Sequence, residues 1–241
     1  MAGYNVQTAV DDKYKLLVTC EVTQDGNDEN QLEGMSKVAK AELEVEQLDA
    51  TADAGYFNVQ AIKNCVEANI TPYVPEPDKT SQASMQGRFV REDFSYDAEA
   101  NRYICPAGKA LEYKSTLKKN GKTIYQYASQ AAVCAQCPLR KRCLPPKTPY
   151  RQVTRWEHEA VIEAHREHMA CKGSAMLRKR AALVEHPFGT LKVWCGWRHF
   201  LLRGLPKVRA ELNLLMLCYN FKRLLNILGV DMLRTYCLQR A

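Results

Sequence analysis

The chain has 241 residues, 46% of them hydrophobic and 25% charged, which is ordinary for a globular protein and enough to bury a sizeable core. It contains no apolar run of about 18 residues and opens without the basic and apolar regions of a signal peptide, so neither a membrane span nor secretion is expected. In a cytoplasmic setting the 10 cysteines are expected to be buried, reactive or metal-bound, not paired as disulfides.

The net charge of +7 conceals a split. Residues 1–100 carry 8 Lys and Arg against 19 Asp and Glu, whereas residues 101–241 carry 26 against 8. The basic half is therefore expected to contact nucleic acid. Charge by itself does not separate DNA from RNA or an anionic membrane.

Tyr4 to Val10 alternates apolar and polar residues, and Lys15 to Val22 follows after Asp11-Asp12-Lys13, so the pair predicts a hairpin. Turn residues from Gln24 to Asp28 precede a predicted helix at 29–43. A short strand at 48–52 leads through Gly55 to Asn58, the expected cap of a helix reaching about Ala68, and a strand follows at 70–74. The order β-β-α-β-α-β predicts a mixed sheet with helices on it. Pro75 and Pro77 open a polar linker, residues 88–128 predict short Tyr-containing strands, and helices are predicted at 154–170, 175–197 and 206–228. The last is apolar on most sides and should pack under the sheet.

Asp53 follows an apolar strand and precedes a turn, where α/β sheets present site residues. Glu185 stands among Arg178, Lys179, Arg180 and Lys192, and its spacing to Lys192 is about 1.9 helical turns. Each has an ordinary reading, as a helix cap and as part of a solvated ion-pair helix. As a pair from distant elements, the two carboxylates suit Mg2+, which takes oxygen ligands and assists phosphodiester displacement.

Cys134, Cys137 and Cys143 form C-x2-C-x5-C, and Cys105 lies upstream in Cys-Pro-Ala-Gly. Four thiolates at such spacing suit a tetrahedral structural Zn2+; unligated thiols and an iron–sulfur cluster are the other readings. Cys20, Cys65, Cys171, Cys195, Cys218 and Cys237 are scattered and expected in core or neutral positions. His158, His165 and His168 share one helix but lack a metal-binding H-E-x-x-H pattern, and a solvated helix is expected there. Trp194, Trp197, Arg198, His199, Phe200, Arg203, Lys207 and Arg209 mix aromatic and basic residues, as DNA-backbone contact would need, although both tryptophans are expected in the core.

Three stretches carry a resemblance: Gly3 to Asp11, Ala52-Asp53-Ala54-Gly55-Tyr56-Phe57, and Val184-Glu185-His186-Pro187-Phe188-Gly189-Thr190-Leu191-Lys192. They resemble the DDE transposases of bacterial insertion sequences. The resemblance implies a ribonuclease-H-like fold, with an insertion before the helix that bears the final Glu. It implies Asp53 as the second catalytic Asp, Glu185 as the catalytic Glu, and both as Mg2+ or Mn2+ ligands. Lys192 and Arg180, with Arg178, Arg198, Arg203 and Lys207, become candidate contacts to transposon-end or target DNA, and a cytoplasmic, nucleoid-associated location follows.

In that family the first catalytic Asp lies on a strand upstream of the Tyr4-Asn5-Val6-Gln7 segment, and Asp11 and Asp12 fall in the hairpin turn instead. The expectation is an α/β ribonuclease-H-like mixed sheet flanked by helices, N-terminally truncated, with a Cys-rich β insertion. Its parts are residues 1–75, 76–150 and 151–241. The chain alone is expected to be inactive because the first catalytic Asp is absent, and its candidate partners besides DNA are a second copy of itself or an N-terminal fragment. The competing expectation is a non-catalytic, zinc-stabilised DNA-binding remnant that binds or interferes with a full-length transposase.

Overall fold

The computed structural model describes residues 3–77, 85–193 and 196–240. Two compact units divide the chain: Met1–Pro77 with Ala164–Ala241, and Asp78–Glu163.

The first unit begins with the predicted hairpin. Strand β1 (Asn5–Val10) pairs antiparallel with β2 (Leu17–Thr23), from Asn5 opposite Thr23 to Val10 opposite Leu17. The turn is built by Asp11, whose carboxylate accepts from the Tyr14 and Leu16 amides at 2.6 and 3.3 Å. Helix α1 (Gln31–Glu42) starts after Asn30, which gives no side-chain cap. Strand β3 (Leu48–Thr51) runs parallel to β4 (Ile70–Tyr73), joined by a crossover through helix α2 (Val59–Glu67). Asn58 caps α2 as expected, accepting from the Gln60 and Ala61 amides at 2.9 and 3.3 Å. The buried Ala61, Ile62 and Cys65 give α2 its inner face.

The predicted succession of elements is therefore present, but among the described residues its strands do not join into one mixed sheet. The pairs β1–β2 and β3–β4 form separate two-stranded sheets. A ladder needs strands about 4.8 Å apart, and residues of β1 and β3 instead line a common cavity of about 420 Å3.

Helix α5 (Glu159–His168), reached after two short helices described below, passes through a π turn (Met169–Gly173) into α6 (Ser174–Val193). Then come α7 (Leu205–Leu228) and α8 (Val230–Arg240), the latter not foreseen. Pro206 sits in the first turn of α7, where its missing N–H costs nothing. Leu17, Val22, Leu191, Val208, Leu212, Met216 and Tyr219 form one core, so α7 does pack on β2. Asn220 substitutes for a strand neighbour there, accepting from the Leu17 amide and donating to the Leu17 carbonyl, both at 2.8 Å. Its outer face stays apolar and exposed at Leu214 and Leu217.

The second unit is an antiparallel sheet in sequence order: β5 (Ser95–Asp97), β6 (Arg102–Ile104), β7 (Ala110–Lys119), β8 (Lys122–Ala128) and β9 (Gln152–Trp156). Asn120 and Gly121, both at positive φ, make the tight β7–β8 turn. Phe94, Tyr103, Leu111, Tyr127 and Val153 form its core, and the short helices α3 (Ala131–Ala135) and α4 (Arg140–Cys143) follow β8.

Residues 152–156 correct the sequence reading, which began a helix at 154. Each pairs with β8, and the buried Arg155 places its guanidinium 3.8 Å over the Tyr96 ring, 2.7 Å from Glu163 and 3.3 Å from the Tyr103 hydroxyl. The ladder to β8 makes the segment a strand, and the Glu163 and Tyr103 contacts pair the cation that the strand buries.

Candidate active site

Pairing of β3 with β4 extends one residue past the strand, since the Ala52 amide donates to the Tyr73 carbonyl at 3.2 Å. Asp53 follows in extended backbone and caps the 3-10 turn Ala54–Tyr56, accepting from the Gly55 amide at 3.1 Å. A Cβ at position 55 would stand only 3.1 Å from the same carboxylate oxygen, so glycine gives Asp53 its room. The second carboxylate oxygen accepts from the Arg180 guanidinium at 2.7 Å. Asp53 is thus a cap and an ion-pair member at once, half exposed on its other side.

Helix α6 carries Arg178, Lys179, Arg180, Glu185 and Lys192. The Arg180–Asp53 pair ties this helix to the end of β3. One residue earlier, Lys179 lies 3.0 Å from Asp12. Asp11 accepts from the Tyr14 and Leu16 amides of the hairpin turn, and Asp12 pairs with Lys179 at an exposed position.

Beneath Asp53, the Tyr56 hydroxyl donates to the Gln7 side-chain carbonyl. The buried Gln7 amide donates to Asp28 at 2.6 Å and to Asn5 at 2.9 Å. Burial, then the charges of Asp28 and Asp53, push the Tyr56 hydroxyl up to about 12, so it remains a proton donor. This brace escaped sequence reasoning, because Gln7 falls on the polar side of the alternating strand and yet is buried.

Arg178, Lys192, Arg198, Arg203 and Lys207 are all exposed, while Arg209 pairs with Glu21 at 2.5 Å. Trp197 is partly buried, packing edge-on against Phe200 at 5.2 Å and against the α7 core; Trp194 lies outside the described residues. Sequence reasoning also missed a cavity of about 380 Å3 lined by His186, Thr190, Tyr219, Lys222, Arg223 and Asn226. Its signal was His186 and Thr190 at i, i+4 on α6.

In the second unit Cys105, Cys134, Cys137 and Cys143 all line one cavity of about 30 Å3. Gly108 at φ +69° turns the Cys105 loop back, and the Lys109 amide donates to the Cys105 sulfur at 3.3 Å. Burial pushes the Cys143 thiol up, with Arg151 opposing. Among the described residues no group of three or more His, Cys, Asp or Glu stands in metal-ligand geometry.

The solvated reading of the histidine helix is corrected at His165. That ring is buried and its Nε2–H donates to the Val74 carbonyl at 2.9 Å. Burial lowers its pKa, while His168 meets the Tyr73 hydroxyl at 2.9 Å. Both rings brace the end of β4.

Comparison with known families brings these features together. The family profile described as Transposase DDE domain matches residues 104–225, half of the chain, and the chain belongs to that family. The matched segment contains the four cysteines, Glu185 and Lys192; Asp53 lies before it. Membership implies transposase-type cleavage and transfer of DNA with a divalent metal. Comparison with curated proteins and with solved structures found no match. Among the described residues no helix is long and apolar enough to cross a membrane.

Proposed function

We propose that the chain performs metal-dependent cleavage and strand transfer at insertion-sequence ends, with Asp53 and Glu185 as carboxylate ligands. The observation that carries this is the Arg180–Asp53 ion pair, which fastens the helix bearing Glu185 to the carboxyl end of β3. The exposed side of Asp53 offers the hard oxygen donors that Mg2+ or Mn2+ takes. When bound, the metal would activate the attacking oxygen and stabilise the leaving one. The chain's own part is to aim Asp53 through the Gly55 amide and Arg180, and to hold DNA phosphates with Lys192, Arg178, Arg198, Arg203 and Lys207. Asp11 and Asp12 sit in the hairpin turn, so in this reading a third carboxylate comes from another segment, and the 241 residues alone do not cleave.

The four cysteines Cys105, Cys134, Cys137 and Cys143 line one space the size of about one water, and thiolates are the donors a structural Zn2+ takes. The Lys109 amide that already donates to the Cys105 sulfur would stabilise a thiolate there. Zinc would then staple the Cys105 loop to α3 and α4.

A nicking assay on DNA carrying the element's own ends tests the catalytic reading, with Mg2+ or Mn2+ and an Asp53→Ala control. Cleavage that appears only when an upstream, acid-bearing segment is added, and is lost in the control, is the expected result. Cleavage by the chain alone overturns the need for that segment. No cleavage with or without it favours the non-catalytic DNA-binding reading, in which the chain interferes with a full-length transposase.

A further inference from the structure

Helices α6 and α7 meet where the His186 ring stands edge-on to Tyr219, with centroids 6.2 Å apart. His186 and Thr190 of α6, with Tyr219, Lys222, Arg223 and Asn226 of α7, line the cavity of about 380 Å3 beside that contact. Among the described residues no acidic group lines it. The buried Tyr219 donates its hydroxyl proton to the Lys15 carbonyl at 2.7 Å. The 2.9 Å bond between that hydroxyl and His186 Nδ1 must then be donated by the ring, so Nδ1 holds the proton of the neutral imidazole. Nε2 is left as the atom that gains or loses one. Arg223 donates through Nε to the Tyr14 carbonyl at 2.7 Å, and its guanidinium has further donors to give.

Two helices thus contribute a hydroxyl, an amide, two cations and an imidazole that becomes a second donor on protonation. Donors on both walls suit a tetrahedral anion better than a carboxylate, whose oxygens share one plane. The volume lies within the range of small-molecule sites, about 300–1,000 Å3, and the chain belongs to a DNA-acting family. We infer that this cavity binds the phosphate group of a nucleotide, free or within a nucleic-acid strand, with His186 Nε2 taking up a solvent proton on binding. The charged groups around the ring are Lys222 and Arg223 of α7 and Lys15 and Asp11 of the hairpin turn. Burial, then the charges of Arg223 and Lys15, hold the unliganded ring below its ordinary pKa. A bound phosphate offsets those cations and raises it. Binding is therefore tightest below the pKa of the unliganded ring and weakens as pH rises through that of the complex. The inference uses neither Asp53 nor a metal, so it and the cleavage reading can fail separately.

The probes are thymidine 5′-monophosphate and an oligothymidylate strand without terminal phosphates, added to the full chain in the absence of metal. Thymidine is the control. The His186 ring is followed by NMR across pH, its signal assigned by its loss in His186→Asn, whose amide keeps a donor for Tyr219 and lacks Nε2. At least one probe is expected to raise the midpoint of the His186 titration by about 1 in pH or more, which is tenfold tighter binding to the protonated ring. Thymidine should leave it in place. Lys222→Gln and Thr190→Val should each weaken that probe by about fivefold or more, with the melting temperature unchanged. A response to the monophosphate alone assigns the site to free nucleotides, and a response to the strand assigns it to nucleic acid. An unmoved His186 midpoint with both probes, an equal response to thymidine, or undiminished affinity in either variant would overturn the inference.

Discussion

Arg180 on α6 donates to the Asp53 carboxylate at 2.7 Å across 127 residues of sequence. This pair gives α6 a fixed anchor at the carboxyl end of β3. Asp53 is half exposed and Arg180 a quarter, so solvent screens the attraction and its worth to stability is small. A double-mutant cycle with Arg180→Ala and Asp53→Ala, read by urea unfolding, is expected to give a coupling of about 0.2–1 kcal/mol. A coupling indistinguishable from zero would mean that the pair does not anchor the helix.

Exposed cations that touch phosphate act additively and without sequence preference. Lys192→Ala should weaken binding to end-bearing DNA and unrelated DNA alike, and reduce the slope of log K against log salt by about 1. Titration by fluorescence anisotropy at several salt concentrations checks this. An unchanged slope would remove Lys192 from the interface.

The cysteine cavity yields a stoichiometry. Elemental analysis of the purified chain is expected to find about one zinc per molecule. Cys137→Ser should lose the metal and lower the melting temperature, and a chelator should do the same to the parent protein. Zinc-free protein with a melting temperature indifferent to chelator would leave the four thiols unligated.

His165 couples stability to pH. Its folded pKa lies below the ordinary 6.5 because burial disfavours the imidazolium. The unfolded chain therefore binds the proton more readily. The stability contributed by neutral His165 is full above about pH 6.5 and is lost as pH falls through the lower folded value. His165→Gln should flatten the loss of stability between about pH 7 and pH 5 in urea titrations. His186, also shifted downward by burial, leaves a residual slope. A pH dependence identical to that of the parent would exclude His165 as a source.

Much of the first unit was legible because its signals are local. Asn58 announces α2, Asp11 the hairpin turn, and the alternation of Tyr4 to Val10 the first strand. The cysteine spacing likewise pointed to residues that do converge on one cavity. What local signals cannot supply is pairing over distance. Residues 154–156 look helical until Arg155 meets Glu163, Tyr96 and Tyr103 and the segment joins β8. His165 looks solvated until the Val74 carbonyl is seen beside it.

The most direct test of the central claim is a Mn2+ titration followed by electron paramagnetic resonance, comparing the parent chain with Asp53→Asn and Glu185→Gln. If Asp53 and Glu185 share a metal, each substitution weakens Mn2+ binding by about tenfold or more, and the double variant is little worse than either single one. Unchanged Mn2+ affinity in either variant would contradict the assignment.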